Sequence, residues 1–429
     1  MGRLKQYLTF IMLALIYLTG CSNAGMGTGE ETSSSSQEPE AIQASLKEEK
    51  PEISFIVPED YCPDAALLDQ FENETGVRVK LVPSSWDTIY KEISQKAVGK
   101  EAGADIFAID WSWLGEFKTA GWLAPLELDE ETIKDIPTVK NFHVGNAYYA
   151  LPYANDYWLA YYQPEAFAQL GRAPQNWSEV SQFAEAVQRE ASQTQPLALP
   201  LSGDEATSRF FFTMNKALTG EVFSKDYRLN RDNALATLEV LNTLKQKGLV
   251  EPGQRSQANL FVESLKEGTA AYSLGPVAPY FQSQTKGQNE PRLALLPGDN
   301  QASKASLFFG PGLAISSYSD HPEAAQLFVE WYTSEERQVA AFEKFGLLPT
   351  RQSALNQVLS SGQVVGADTI GRVSEGAGAL FSNGAPSYYR ELSHTLARSI
   401  HEMLEGRLSP EEAADQMTEE VDAIVERNL

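Results

Sequence analysis

The sequence predicts an α/β protein in which helices cover both faces of a parallel sheet. Short apolar runs alternate with longer segments of helical periodicity from about residue 53 onward, which is the pattern of βαβ units. One run, residues 105–110, is almost continuously apolar, as expected for a strand buried on both faces. The chain has 429 residues, of which 42% are hydrophobic and 21% charged. This is an ordinary globular composition, with enough length for two or three domains.

The N-terminal segment has the organisation of an export signal. Two basic residues precede an apolar run over residues 7–18, which is shorter than a membrane span but typical of a signal peptide. The run ends at residues 18–21, LTGC, which resemble the lipobox of bacterial lipoproteins. We therefore expect residues 1–20 to be a lipoprotein signal peptide and Cys21 to carry the lipid that anchors the exported protein to the cell membrane, on its extracytoplasmic face. An ordinary signal peptide is the alternative.

The composition of the remaining chain restricts its partners. Residues 21–50 are dominated by Ser, Gly, Thr, Gln and Glu, so they are predicted to form a flexible tether. The chain has Lys+Arg 34 against Asp+Glu 58, a net charge of −24, which makes nucleic acid an unfavourable partner. With Cys21 lipidated, Cys62 has no second cysteine to pair with, and we expect it to be a small buried apolar side chain.

The first part of the folded chain is predicted to contain three strands, each followed by a helix. Period-two alternation or continuous apolar sequence predicts strands at residues 53–57, 77–81 and 105–110. Helical spacing follows each of them: Leu67, Leu68 and Phe71 with a stop at Gly76; Ile89, Ile93 and Ala97 behind a cap at Ser84 or Ser85; and Leu114 and Phe117 with a stop at Gly121. Strands joined through helices run parallel in one sheet.

The later chain repeats the same alternation. Strands are predicted at residues 197–201, 270–274, 293–296 and 313–316, and helices at 177–191, 232–247, 322–333, 388–405 and 410–427. No GxSxG, P-loop, HExxH or CxxC motif occurs in the sequence, so no common catalytic or metal-binding signature is present.

Seven short blocks occur in a fixed order along the chain. They are residues 71–79 (FENETGVRV), 103–107 with 121–126 (GADIF, GWLAPL), 149–153 with 161–167 and 176–179 (YALPY, YYQPEAF, NWSE), 267–272 (EGTAAY), 321–325 (HPEAA), 346–351 (GLLPTR) and 406–413 (GRLSPEEA). Together they resemble the extracellular solute-binding proteins of ABC importers, in the family-1 group related to the maltose-binding protein.

The resemblance implies a periplasmic-binding-protein-like fold: two α/β lobes with mixed or parallel sheets, joined by crossover hinge strands, with the ligand in the cleft between them. It places lobe 1 at residues 51–153 plus 311–350 and lobe 2 at 156–308 plus 351–429. The chain is expected to cross between the lobes near residues 153–156, 309–310 and 349–351. The implied function is to capture a small carbohydrate, an oligosaccharide, in this cleft and to deliver it to a membrane permease. The expected protein is a monomer with no catalysis, no cofactor and no metal.

Ligands of open α/β sheets bind beyond the carboxyl ends of the strands, and this rule selects the candidate residues. Many are aromatic or acidic, as suits a sugar, whose C–H face stacks on a ring and whose hydroxyls donate to carboxylates. The resemblance favours Asp156 most, at the position of an acidic hinge residue, and Tyr388 in a segment where the family often presents an aromatic ring. The predicted ligand-binding residues are Glu59, Asp60, Trp86, Asp110, Trp111, Trp113, Tyr153, Asn155, Asp156, Asp204, Tyr280, Phe309 and Tyr388.

Several alternatives stay open at the level of sequence. Asp156 can instead be a hinge carboxylate bound to backbone amides, and the tryptophans can pack in the core or staple a helix. The same acidic and aromatic residues would also suit a cationic amine through cation–π contacts. A cell-surface glycoside hydrolase would need two facing carboxyl groups about 5–9.5 Å apart, and the sequence identifies no such pair.

Overall fold

The computed structural model describes residues 51–190, 196–251, 258–282 and 290–428. The predicted signal peptide, the tether and Cys21 lie outside these residues. The described strands are β1 (Glu52–Pro58), β2 (Arg78–Ser84), β3 (Ile106–Ile109), β4 (Leu123–Ala124), β5 (His143–Val144), β6 (Ala147–Tyr148), β7 (Ala150–Pro152), β8 (Trp158–Tyr162), β9 (Leu197–Ala198), β10 (Tyr272–Pro276), β11 (Arg292–Ala294), β12 (Leu296–Pro297), β13 (Ala302–Ser303) and β14 (Gly312–Ser316).

Most of the predicted helices are present within a few residues of their expected ends. The described helices are α1 (Ala65–Thr75), α2 (Trp86–Val98), α3 (Leu114–Thr119), α4 (Glu130–Asp135), α5 (Trp177–Glu190), α6 (Glu205–Thr219), α7 (Arg231–Gln246), α8 (Ala258–Lys266), α9 (Ala278–Gln282), α10 (Pro322–Tyr332), α11 (Glu335–Phe345), α12 (Gln352–Ser360), α13 (Ala367–Gly376), α14 (Tyr389–Leu404) and α15 (Pro410–Asn428). None of the helices in the described ranges is both long and apolar enough to cross a membrane.

Local sequence explains where the first helices begin and end. The Asp64 carboxylate accepts the Leu67 N–H at 2.9 Å and so caps the start of α1. Gly76 ends that helix with a φ of 77°, a conformation that a side chain would disfavour. Of the two serines considered as the next cap, Ser85 is the one that accepts a hydrogen bond, from the Thr88 N–H.

Two main sheets organise the fold. The first sheet has the order β2-β1-β3-β14-β4, with β7 also paired to β14. Strands β1, β2 and β3 are parallel, as predicted, whereas β14 pairs antiparallel with β3, β4 and β7. The first sheet is therefore mixed rather than parallel throughout, because β14 arrives from a distant part of the chain and runs in the opposite direction.

The second sheet has the order β11-β8-β10-β9. Strand β8 pairs antiparallel with β10 and β11, and β10 pairs parallel with β9. The predicted strand at 197–201 is shorter in the structure, since only Leu197–Ala198 pair. The chain passes from the first sheet to the second between β7 and β8, and it returns before β14.

The predicted crossover segments lie side by side. The Asn155 N–H donates to the Leu348 carbonyl at 2.7 Å, and the Asn155 side-chain amide donates to the Pro349 carbonyl at 2.5 Å. The Phe309 N–H donates to the Asp156 carbonyl at 3.4 Å. These bonds join the three places where we predicted the chain to cross.

One prediction about the core is wrong. Cys62 is only partly buried rather than inside the core, because it directly follows the short 3₁₀ helix Glu59–Tyr61, beyond the carboxyl end of β1. Its thiol lies 3.5 Å from the Pro58 carbonyl.

Candidate functional site

The candidate site lies beyond the carboxyl ends of β1 and β3, where two short 3₁₀ helices, Glu59–Tyr61 and Trp111–Trp113, follow the strands. Asp110 begins the second of these helices and accepts the N–H and the hydroxyl of Ser112 at 3.0 and 2.5 Å. These two bonds fix the carboxylate at the end of the buried strand, which is the place where the sequence predicts ligand contacts.

Arg209 on α6 is at the centre of the site. One Nη of its guanidinium donates to both carboxylate oxygens of Asp110, at 3.0 and 3.1 Å, and its Nε donates to Glu205 at 3.0 Å. The Arg209 and Asp110 side chains are 21% and 18% exposed, so water screens this pair only in part. Asp110 is thus an ion-pair partner and not an unpaired acceptor.

A packed aromatic cluster lies against the guanidinium of Arg209. The guanidinium carbon lies 5.6 Å from the centre of the Trp111 ring and 5.5 Å from that of Phe309, within range of cation–π attraction. Trp111 also contacts Tyr389 edge to face at 4.8 Å. The exposed fraction of Trp111 is 2%, so its ring is committed to packing in this conformation.

Tyr389 connects this cluster to the carboxylate of Glu205. Its hydroxyl donates to Glu205 at 2.6 Å, and Ser393 donates to the other oxygen of the same carboxylate. Burial raises the pKa of Tyr389 well above its usual value, and the Glu205 charge adds to the rise. The phenol therefore stays protonated and acts as a donor.

A second group of rings is more accessible, and we call it the aromatic wall: Tyr61, Trp86, Trp113 and Tyr90. Consecutive ring centres are 6.3, 5.6 and 5.2 Å apart, all edge to face. Trp86 and Trp113 are partly exposed, unlike Trp111. The guanidinium of Arg390, from α14, lies 5.1 Å from the centre of the Tyr90 ring. The aromatic wall thus has a charged group, the guanidinium of Arg390, against one of its rings.

Asp156 completes the polar part of the site. Its carboxylate accepts the Ala278 N–H at 3.1 Å. Burial raises the pKa of Asp156 from 3.8 to about 6, Asp110 adds to the rise, and the Ala278 N–H and Arg209 oppose it. Burial also raises the pKa of Tyr61, with further contributions from Asp156, Asp60 and Asp110. The charges of Asp156, Asp110 and Arg209 thus influence one another, which assigns them to one site.

Other predicted residues have structural contacts elsewhere. Asp204 is exposed and caps α6 by accepting the Ala206 and Thr207 N–H groups at 3.1 and 3.4 Å. Asn155 is buried between the crossover segments. Tyr280 packs against Tyr161 of β8, in the second sheet, with the ring centres 6.0 Å apart. Their ligand contacts stay predictions.

The remaining predicted positions divide between surface and core. Glu59 and Asp60 are exposed at the rim, and Tyr153 is 3% exposed, behind Tyr61 at 5.8 Å. Tyr388 faces Tyr227 at 6.2 Å, while Tyr389 is the neighbour that contacts Trp111. Tyr388 immediately precedes α14 and has a non-helical backbone, whereas Tyr389 is the first residue of the helix, so the two side chains leave the chain in different directions.

The sequence analysis missed Arg209, Tyr90 and Arg390 as site residues. One signal was available for Arg209, since it is four residues after Glu205 in the first turns of a helix that follows a strand, the spacing of a helical ion pair. For Tyr90 and Arg390 no local pattern distinguishes them from other surface residues. Among the described residues, no group of three His, Cys, Asp or Glu side chains could hold a metal ion.

Comparisons with known proteins give the family and the fold of this chain. Residues 66–364 match the model of a family described as bacterial extracellular solute-binding proteins. Solved structures with the same fold include a solute-binding protein of an ABC transporter from Thermotoga lettingae bound with alpha-D-tagatose (21% identity, TM-score 0.71, covering 87% of this chain and 100% of that one). Another is the GacH receptor of Streptomyces glaucescens, solved unliganded and with acarbose (20% identity, TM-score 0.73, covering 88% of this chain and 99% of that one). A third is the maltose-bound MalE3 protein of T. maritima (20%, 0.70, 87% and 99%). The fold is periplasmic-binding-protein-like.

Proposed function

The chain belongs to the bacterial extracellular solute-binding protein family, and from this premise we propose that it captures a small neutral carbohydrate or polyol for an ABC importer. The family is extracellular, so the protein is exported. We also propose that Cys21 carries a lipid and that the ligand is delivered to a membrane permease without chemical change. The protein works as a monomer without a cofactor.

The observation that carries the proposal is the aromatic wall beside the Asp110–Arg209 pair and Asp156. Trp86 and Trp113 offer partly exposed rings on which the C–H face of a sugar can stack. Asp156 and Arg209 offer an acceptor and donors for hydroxyl groups. The solved neighbours include complexes with tagatose, maltose, ribitol and mannitol, which are all uncharged and rich in hydroxyls.

The charges of the site favour a neutral ligand over a cationic amine. Arg209 occupies both oxygens of Asp110, and Asp204 caps α6. Two of the carboxylates that an amine would need therefore already have partners. Burial of Asp156 also disfavours its charged form, which weakens its attraction for a cation.

The test is a calorimetric titration with tagatose, ribitol, mannitol and maltose at low and high salt. We expect saturable binding of at least one of them that changes little with salt, because a neutral ligand is insensitive to screening. Trp113→Ala should weaken this binding at least tenfold, while Trp331→Ala, on α10 outside the site, should leave it unchanged. Trp113 is preferred to Trp111 for this test because Trp111 is part of the packed cluster.

Two results would overturn the proposal. A ligand whose affinity falls steeply as salt rises would identify the cationic amine binder instead. Products of cleavage after incubation with oligosaccharides would identify a glycoside hydrolase.

A further inference from the structure

Residues 383–390, the chain that leads into α14 and the first two residues of that helix, contact both assigned lobes, and we call this segment the clasp. On the lobe 2 side, the Tyr227 hydroxyl donates to the Asn383 carbonyl at 3.4 Å. Just beyond the clasp, the Ser208 hydroxyl donates to the Ser393 carbonyl at 2.7 Å, and α14 packs on α6, α7 and α15. The clasp is therefore attached to lobe 2 at both of its ends.

The other side of the clasp contacts lobe 1 at two exposed places. The Asn383 side-chain carbonyl accepts the N–H of Gly145, in the turn between β5 and β6, at 3.0 Å. Seven residues later, the guanidinium of Arg390 lies 5.1 Å from the centre of the Tyr90 ring on α2, within range of cation–π attraction. Asn383, Gly145 and Arg390 are exposed, so water can replace these polar contacts when the two sides separate. The contacts can therefore open and close at a modest cost in free energy.

Between these two exposed contacts, the backbone of the clasp lies directly on lobe 1. Gly384 is buried. A Cβ built on it would lie 2.7 Å from the Leu114 side chain, 3.0 Å from the His143 carbonyl oxygen and 3.1 Å from the Val144 side chain. These three residues belong to α3 and β5. The lack of a side chain at Gly384 thus permits an approach that even one methyl group would obstruct.

From these observations we propose that the clasp is a conformational device that holds the two lobes together, in a closed arrangement, through contacts made by the protein itself. The inference rests on the proposed function only in treating the two lobes as bodies that move. A ligand that bridges the lobes favours the same closed arrangement, so its contacts and those of the clasp add. The strength of the clasp therefore sets the fraction of molecules that are closed, and with it the apparent affinity for the ligand.

The first experiment adds one methyl group to the clasp and measures the radius of gyration by small-angle X-ray scattering, without any carbohydrate. Gly384→Ala places a Cβ against α3 and β5. Gly248→Ala is the matched control, because the two glycines have similar φ angles of 72° and 67° and a Cβ on Gly248 would meet no atom within 4 Å. We expect a larger radius for Gly384→Ala alone, with an unchanged circular dichroism spectrum. The ratio of closed to open molecules should fall at least about fivefold, the size of an overpacking effect.

The second experiment removes the hydrogen bond from Gly145 without adding volume. Asn383→Ala should lower the ratio of closed to open molecules about two- to tenfold, the contribution of one hydrogen bond, and so increase the radius of gyration. Asn383→Asp keeps an oxygen that can accept the same N–H and should scatter like the unmodified protein. Arg390 is left unchanged in both variants, because it contacts the aromatic wall. Asn383 is exposed, so we expect neither substitution to impair folding.

Three results would overturn the proposal. The first two are equal radii of gyration for Gly384→Ala and Gly248→Ala, and equal radii for Asn383→Ala and Asn383→Asp. The third is loss of the helical circular dichroism signal in Gly384→Ala, which would identify the contact as part of a rigid core and not as a movable interface. If none of the four carbohydrates of the titration above binds, the proposed function fails, whereas the scattering comparison still tests the clasp.

Discussion

At the scale of single residues, the site depends on one cation held among carboxylates and rings. Arg209 pairs with Asp110 and Glu205 and lies against the rings of Trp111 and Phe309, which also pack on each other. A partly buried ion pair of this kind is costly to break, because the remaining partner keeps its charge without compensation. The same pair reduces the negative charge available to a ligand.

The Asp110–Arg209 pair gives a prediction about stability. Asp110→Asn should lower the free energy of unfolding by about 1–3 kcal/mol, since Arg209 loses one of its two carboxylates while Glu205 remains. Urea denaturation at neutral pH measures this change. The control is Glu101→Gln, which removes the exposed pair with Lys96 (2.8 Å) and should leave the midpoint unchanged. Equal changes in the free energy of unfolding for the two substitutions would contradict a stabilising role of the Asp110–Arg209 pair.

The raised pKa of Asp156 gives a prediction about pH. Between about pH 4 and pH 6 the folded protein holds a proton on Asp156 that the unfolded chain releases. Its contribution to stability therefore decreases as pH rises through this range. Denaturation curves from pH 4 to pH 7 should show the stability of the unmodified protein falling relative to that of Asp156→Asn. Two parallel profiles would mean that the Asp156 carboxyl has an ordinary pKa.

At the scale of elements, helix α3 packs directly on the chain that leads into α14. A Cβ built on Gly115 would lie 2.1 Å from the Ala385 carbonyl oxygen and 2.4 Å from the Pro386 carbonyl carbon. No side chain fits there, so backbone meets backbone. This contact joins residues that we assigned to different lobes, and the glycine permits their close approach.

Gly115→Ala should therefore destabilise the protein by about 1–3 kcal/mol, as overpacking does. Gly371→Ala is the matched control, because Gly371 also lies in a helix, α13, and its added Cβ would meet only Leu359 at 3.7 Å. That control should stabilise the protein by about 0.5–1 kcal/mol through helix propensity. Thermal unfolding of both variants gives the comparison. An unchanged melting temperature of Gly115→Ala would show that α3 and the chain at residues 385–386 move apart readily.

At the scale of the whole molecule, the two sheets have different strand orders and the chain passes between them at the crossovers. The site takes Trp86, Trp113 and Asp110 from the segment around the first sheet. It takes Arg209 and Asp156 from the segment assigned to lobe 2. A ligand that contacts both groups would stabilise the conformation in which they are close.

The predicted lipoprotein signal, residues 1–20 followed by Cys21, determines where the whole molecule is located in the cell, and this can be tested. Cys21→Ser should move the protein from the membrane fraction to the medium or the soluble extracytoplasmic fraction, because a serine cannot receive the thioether-linked lipid. Cell fractionation and mass spectrometry of the N-terminus measure this. Ser22→Ala, at the neighbouring position, should leave the distribution unchanged. Continued membrane retention of Cys21→Ser would favour an ordinary signal peptide and a different attachment.

Much of the secondary structure was predictable because its signals are local. The periodicity of residues 410–427 predicted α15, whose buried residues Ala413, Met417, Val421 and Val425 recur at helical spacing. Ser85 and Gly76 acted as helix start and stop through bonds and backbone angles within a few residues. The direction of β14 was not predictable in this way, since its partners β3, β4 and β7 lie far away in the chain.

The sequence by itself determined the α/β class, the family and the edge of the sheet at which polar and aromatic residues collect, because strand and helix periods and strand ends are local properties. Only the tertiary structure decided which of those residues meet. Asp110 and Arg209 are 99 positions apart, and Tyr389 rather than Tyr388 reaches Trp111. Such choices depend on how separate elements pack and rotate against one another, and packing is a property of the assembled core.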